Sequence, residues 1–531
     1  MATTCLTGGR VVDGTGSPWA RGDVVIDGET IVAVGTTDAS VDRVIDVDGA
    51  VVAPGFVDIH THSDFTLPAN RDAHSKVRQG VTTEVVGNCG ISAAPRHGDA
   101  AGAVAEGFES RGLGDVVDST AWTTTGEYLD YLETGGVSVN VATLVGHGNA
   151  RAAAMGFDDR DPTAAELDRM RSIVADAMAE GAVGFSTGLT YPPGAYAGTD
   201  ELVALARVAA EHDGIYATHV RDESDDLFEA VEEGIAVGRR ANVPVQVSHH
   251  KAMGADNWGA IRYTLRKLEL VRKREGVEVQ VDQYPYTASS TSLGALLPEW
   301  AHDGGTEELL ARLDDEATRA RIADELADRV DSWDDVLVTN VQAERLQDVP
   351  GRTIAEITAE RDDDPAPETV VMDLVLTDRD RVRHVHFSMD ETDVETVMRH
   401  RLTAIGSDGN SLAPEGPLGE GVPHPRSYGT FPRVLGTFVR DRGVLDLEAA
   451  VHKMTGMPAS RLGLDDCGLL RPGMQADVTV FDPDRVAQGG DFLAPDVYPE
   501  GIEHVLVNGQ FVIRDGEHTG QRPGVAIGRS D

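Results

Sequence analysis

The run Val57-Asp58-Ile59-His60-Thr61-His62-Ser63-Asp64, just after Ala53-Pro54-Gly55, decides how the rest of this chain is read. It is a short apolar segment ending in two histidines two residues apart. In a β-strand, residues i and i+2 project to the same face, so both imidazoles are expected to point the same way from one strand end. Neutral imidazole is the commonest metal ligand, and two on one face make half of a metal site. The motif alone is weak. With 17 His in 531 residues, about half a match arises by chance, and a second pair, His384-Val385-His386, is present.

The flanking sequence supplies the context. Residues 6–52 read as short strands punctuated by Gly8-Gly9, Asp27-Gly28 and Asp48-Gly49. The C-terminal stretch reads the same way, with strands at Ala476–Phe481 and His504–Val507 and a hairpin turn at Asn508-Gly509. Two β-rich ends around a different middle predict one small β-sandwich domain built from residues 1–53 and 464–531.

The middle, residues 54–463, alternates apolar strand candidates with amphipathic segments. The strands are Val139–Val145, Ala182–Ser186, Ile215–Thr218, Val243–Ser248, Val277–Val281 and Thr403–Ser407; helices are expected at Thr163–Glu180 and Thr199–His212. Strands that are apolar on both faces, each followed by a helix, indicate a parallel sheet. About eight such units predict an α/β fold with a (β/α)8 TIM-like barrel. Between about 293 and 379 the rhythm breaks into an acidic stretch. Apolar residues in Trp333–Val338 and Val370–Leu376 mark it as an inserted subdomain over one barrel mouth and not a loose loop.

Composition narrows the function. Asp and Glu total 89 against 46 Lys and Arg, a net charge of −43, which repels nucleic acid and anionic membrane surfaces. Only five of the basic residues are Lys (Lys76, Lys251, Lys267, Lys273, Lys453). The acids are spread along the whole chain, as on a solvated surface adapted to concentrated salt, so a halophilic source is expected. No apolar run approaches the ~20 residues of a membrane helix. The N-terminus lacks the basic and apolar regions of a signal peptide, and a cytoplasmic location is expected. Three cysteines, Cys5, Cys89 and Cys467, do not make a disulfide framework.

Six candidate ligands fall at or just after the C-terminal ends of predicted strands, the face where barrel enzymes build their sites. They are His60, His62, Cys89, His219, His249 and Asp408. Thiolate and imidazole suit Zn2+, which activates water near neutral pH. A carboxylate must then move the proton to the leaving group, and Asp408 is the best-placed candidate.

In these features the chain resembles the amidohydrolase superfamily and, more closely, its N-acyl-D-amino-acid deacylases, or D-aminoacylases. The resemblance runs from about Leu6 to Gly528. It is carried by Gly87-Asn88-Cys89-Gly90, Thr190-Tyr191-Pro192-Pro193-Gly194, Thr218-His219-Val220-Arg221, Ser248-His249-His250-Lys251, Asp282-Gln283-Tyr284-Pro285-Tyr286, Gly406-Ser407-Asp408-Gly409 and the segment His424–Arg433. It implies a tight zinc on Cys89, His219 and His249, and a second, weaker metal position at His60 and His62 with Asp408 reaching it. Cys89 would take the place that a carboxylated lysine holds in dihydroorotase-like relatives. Asp408 would be base and then acid. Arg426 would pair with the substrate carboxylate, and Tyr191, Lys251 and Tyr284 would orient or polarise the amide carbonyl. The substrate would be a small N-acyl-D-amino acid.

The seventeen residues between Asp408 and Arg426 exceed the family pattern and are expected to bear on the cavity mouth. Alternation puts His250 on the opposite face from His249, and the match of Ser248-His249 to the family pattern implies His249 as the ligand. His386 and Met389 are read as pocket wall at most. A cyclic-amide hydrolase of the dihydroorotase or hydantoinase kind remains the alternative, disfavoured by the absence of Lys from the predicted fourth strand, Ala182–Leu189. A non-catalytic barrel scaffold would have no use for a complete ligand set.

Overall fold

The computed structural model describes residues 3–36 and 40–528. Met1, Ala2 and the last three residues, which the sequence reading assigned to the terminal β-domain, lie outside them. Eight parallel strands form one sheet: β1 Phe56–Asp58, β2 Val81–Val86, β3 Asn140–Gly146, β4 Gly184–Gly188, β5 Ile215–His219, β6 Val245–Val247, β7 Val279–Gln283 and β8 Thr403–Ile405. Their order follows the chain from β1 to β8. The ends approach each other just past the strands, where Thr61 bridges Gly409 in parallel and the Asp408 amide donates to the His60 carbonyl at 2.8 Å.

Period-two alternation fills this barrel. On β5, Ile215 and Ala217 join an interior cluster with Val57, Ile59, Val85, Leu144 and Ala404, while Tyr216 packs outward against the helices. His219 continues the inward phase to the strand's C-terminal end. A short helix, Gly456–Leu462, adds Met457 and Leu462 to the same cluster.

The helices have local causes. The predicted helix after Thr163 runs over Ala164–Ala179, opened by a capping box in which Thr163 and Glu166 exchange hydrogen bonds. The next runs over Thr199–Glu211.

Strands from both termini share a nine-stranded sheet, in which the strand Val51–Pro54 sits between Thr4–Val11 and Val478–Phe481. The Asn508-Gly509 hairpin is present between Ile502–Val507 and Gln510–Arg514, with both turn residues at positive φ (49° and 74°). Gly8-Gly9 corrects the reading. It is no turn but a bulge inside the strand Thr4–Val11, where the register to Ala20–Asp27 shifts between Leu6 and Gly9. Gly8 takes a φ of 80°, which a residue without Cβ adopts freely.

Residues 289–386 carry a three-stranded sheet, Ser289–Ser292, Val336–Asn340 and Arg383–His386, with the last in the middle. Behind it Leu293, Leu309, Ile322, Val336, Val370 and Leu374 form their own core. The long segment after Asp408 folds onto this sheet, since the Val422 amide donates to the Thr339 carbonyl at 2.8 Å. Of residues 409–425 only Asn410 lines the main cavity.

Candidate metal and active site

The predicted ligands converge at the C-terminal end of the barrel, on a cavity of about 740 Å³. One ligand atom each from His60, Cys89, His249 and Asp408 lie within 4.8 Å of one another, and so do those of His219, Glu223 and His249. His249 belongs to both groups. Cys89 Sγ is 3.3 Å from His60 Nε2 and 3.5 Å from His249 Nε2. Asp408 Oδ1 is 3.4 Å from His60 Nε2 and 3.0 Å from His62 Nε2. The sequence reading had divided the ligands differently, placing His60 only with His62 and Asp408.

The histidine pair reaches this point by a route that alternation does not describe. The strand ends at Asp58, two residues before His60, and Val57 and Ile59 face the barrel interior. Continued alternation would turn His60 and His62 away from that interior; the chain bends instead, and both rings meet Asp408. Backbone strain marks the same place. Cys89, His249 and Asp408 all have positive φ (54°, 32° and 52°), a conformation costly for side-chain-bearing residues and concentrated at functional sites.

Electrostatics favour charged ligands. Burial pushes the Cys89 thiol up, but the neighbouring His60 and His249, with bonds from His219 and His249, outweigh it and hold the group well below its ordinary value. This shift favours the thiolate, the form that binds metal. Burial likewise opposes ionisation of Asp408, and is outweighed by Arg426, His60 and the bond from His62, so its carboxyl sits well below the usual range. For His249, burial and Lys251 push downward, while Glu223 and Cys89 raise it to about 9.

Two carboxylates missed at the sequence level steady these groups. Asp282, on β7, accepts from the His249 amide at 2.7 Å and lies 3.0 Å from His60 Nδ1. Glu223 lies 3.0 Å from His249 Nδ1 and accepts from Lys251 Nζ at 2.5 Å. Metal-bound imidazoles are oriented this way. Glu223 had a signal in the chain, four residues after His219; Asp282 stood in the quoted Asp282-Gln283-Tyr284 segment.

Beneath the cluster, Lys76 is fully buried. Its Nζ donates to Asp58 at 2.8 Å and to Ser407 Oγ at 2.7 Å, linking β1 to the residue before Asp408.

The proposed substrate residues fall in different places. Tyr191 and Lys251 line the cavity, and the Tyr191 ring meets His219 edge-on at 5.0 Å. Tyr284 is not on the wall. It is fully buried, with Lys251 and Arg426 stacked over its ring at 5.9 and 5.0 Å. Its expected contact with the amide carbonyl is therefore not through the cavity wall itself. Arg426 lines the cavity, with Nη1 2.8 Å from Asp408 Oδ2 and Nη2 donating to the Ser290 carbonyl at 3.0 Å. His250 points away, 2.7 Å from Thr264 Oγ1. His384 and His386 both line the cavity, but Met389 packs against Tyr284 and Tyr286 behind it.

The donor set fits zinc. It combines a thiolate, imidazoles and a carboxylate, and His219 Nδ1 is buried with no hydrogen-bond partner. A buried ring nitrogen left unpaired is costly unless something else satisfies it.

The amidohydrolase family profile matches residues 43–513. The chain is 39% identical to the D-aminoacylase of Alcaligenes xylosoxydans xylosoxydans, over 99% of this chain and 97% of that protein. It is 39% identical to an N-acyl-D-glutamate deacylase of the same organism, over 95% and 92%. The crystal structure of N-acyl-D-glutamate deacylase from Bordetella bronchiseptica, complexed with zinc and a phosphonate mimic of the tetrahedral intermediate, superposes with a TM-score of 0.83 at 36% identity, covering 99% of both chains.

Proposed function

This chain belongs to the amidohydrolase family, and on that premise we propose that it is a zinc-dependent N-acyl-D-amino-acid deacylase. It cleaves a linear amide to a carboxylate and a free D-amino acid. The observation that carries the reading is the joint approach of His60, Cys89, His249 and Asp408 at one cavity, in a chain similar to such deacylases along its whole length.

Cys89, His219 and His249 would hold the tight zinc, and His60 and His62, with Asp408, the second and weaker position. The orphaned His219 nitrogen and the lowered Cys89 thiol support the first assignment. When bound, zinc supplies a Lewis acid that polarises the amide carbonyl and activates water at neutral pH. Asp408 accepts the proton of the attacking water and returns it to the leaving nitrogen. Arg426 and Lys251 bind the substrate α-carboxylate and amide end, Tyr191 orients the acyl carbonyl, and Tyr284 supports the two cations from behind. Glu223 and Asp282 fix the imidazoles.

The cyclic-amide alternative is not favoured: β4, Gly184–Gly188, has no lysine. Turnover of N-acetyl-D-methionine with none of hydantoin or dihydroorotate is expected; the reverse preference would overturn the assignment.

The acidic composition supports a protein adapted to concentrated salt. At about 1 M ionic strength the Debye length is ~3 Å, so repulsion among surface carboxylates is screened. Moving the enzyme from about 2 M to about 0.1 M KCl is therefore expected to lower its Tm. An unchanged Tm with full activity in dilute buffer would contradict this. A cytoplasmic location accords with three free thiols, Cys5, Cys89 and Cys467. Among the described residues no helix is long and apolar enough to cross a membrane.

A further inference from the structure

We propose that Arg383 binds the carboxylate of an acidic substrate side chain, making N-acyl-D-glutamate and N-acyl-D-aspartate the preferred substrate class. The proposal rests on the deacylase reading of the same site. Arg383 opens the strand Arg383–His386 of the inserted sheet and lines the cavity that holds the metal cluster. Among the described residues no carboxylate lies within 4.0 Å of its guanidinium, which also has no hydrogen-bond partner. This is unusual in a chain with 89 acids to 46 bases. Three other deep cations meet acids, Arg151 with Glu201 at 2.5 Å, Lys251 with Glu223 at 2.5 Å and Lys76 with Asp58 at 2.8 Å, while Lys453 and Arg461 donate to neutral oxygens; Arg383 has neither kind of partner.

A guanidinium keeps its charge, and a half-buried charge without a counter-ion is costly. The pocket therefore presents a cation that something entering it must match. Arg111 shares the cavity wall and likewise has no carboxylate within 4.0 Å among the described residues. Its Nη1 donates to the Gly107 carbonyl at 2.6 Å, and its guanidinium lies 4.5 Å from the centre of the Phe65 ring. Burial and the nearby Arg383 push Arg111 down to about 9, against the opposing pull of Asp64.

The substrate α-carboxylate does not need Arg383. Arg426 and Lys251 stand beside the metal cluster and serve every N-acyl-amino acid alike. A substrate with one carboxylate would leave Arg383 unmatched, whereas a second carboxylate on the side chain fits its planar fork.

The test uses the zinc-loaded enzyme and N-acetyl-D-glutamate, its neutral isostere N-acetyl-D-glutamine, and N-acetyl-D-methionine. Wild type is expected to favour the glutamate over both by at least about tenfold in kcat/KM. In Arg383→Met the ratio of glutamate to methionine kcat/KM falls at least about tenfold, mainly through KM. Arg383→Lys retains part of the preference because it keeps the charge but loses the fork. Calorimetry with D-glutamate and D-glutamine on the same proteins gives a readout independent of turnover, and wild type should bind the former more tightly. Preference for N-acetyl-D-methionine in wild type, or equal proportional losses on both substrates in Arg383→Met, would overturn the proposal. If wild type hydrolyses none of the three, the deacylase reading falls, and the calorimetric comparison still decides on Arg383.

Discussion

Asp408→Asn keeps its zinc and loses nearly all turnover. The amide matches the carboxylate in size, so the fold around it should persist, but it cannot accept a proton from water or return one to nitrogen. General acid–base groups contribute roughly 10²–10⁴-fold to rate, and in the proposed mechanism one residue serves both transfers, so a fall in kcat toward the upper end of that range is expected. The cradle is dense: His62 Nε2 at 3.0 Å and Arg426 Nη1 at 2.8 Å both face the carboxylate. Loss of negative charge also leaves Arg426 without its acid, so some rise in KM accompanies the fall in kcat. Metal analysis beside steady-state kinetics checks this. A variant within tenfold of wild type, or one stripped of all zinc, would refute the assignment of Asp408 as the proton carrier.

Cys89→Ala is expected to lose the tight zinc and with it the activity. The thiol is buried between His60 and His249, whose charge holds it well below its ordinary value. Removing groups that merely orient a ligand costs about 10–100-fold in metal affinity, so removing the thiolate itself should exceed that. The positive φ at position 89 is borne equally by Ala and Cys, so the backbone strain does not change and circular dichroism should stay native. Zinc titration against a competing chelator measures the loss. Full occupancy and wild-type rates would show that the metal is held without Cys89.

Much of this architecture was legible along the chain. Apolar runs followed by amphipathic ones marked the barrel strands to within two or three residues, because burial on both faces imposes a composition that neighbouring residues share. The candidate ligands could be picked out because each stands at or just past a strand end, and the structure brings them together at one cavity. What was not legible depends on the backbone leaving its regular path. His60 and His62 meet Asp408 only because the chain bends after Asp58. Gly8-Gly9 looked like any turn until its partner strand revealed a bulge. Tyr284 belongs to a ligand-like segment, yet whether its ring faces the cavity or the wall behind is decided by packing against Met389, Lys251 and Arg426. Glu223 had only its spacing from His219 to mark it, and Arg383 carries no motif at all. Their meaning comes from what surrounds them, a histidine and a lysine in one case and, in the other, a guanidinium with no carboxylate within 4.0 Å among the described residues.

The central claim is that this chain uses zinc to release free D-amino acids from their N-acyl derivatives. The most direct measurement is amine release from the D and L forms of one N-acetyl-amino acid, in high salt, before chelation, after chelation and after zinc is restored. The account predicts release from the D form, its loss on chelation and its return in proportion to bound zinc. Hydrolysis that prefers the L form, or that continues unchanged in protein shown to hold no metal, would contradict it.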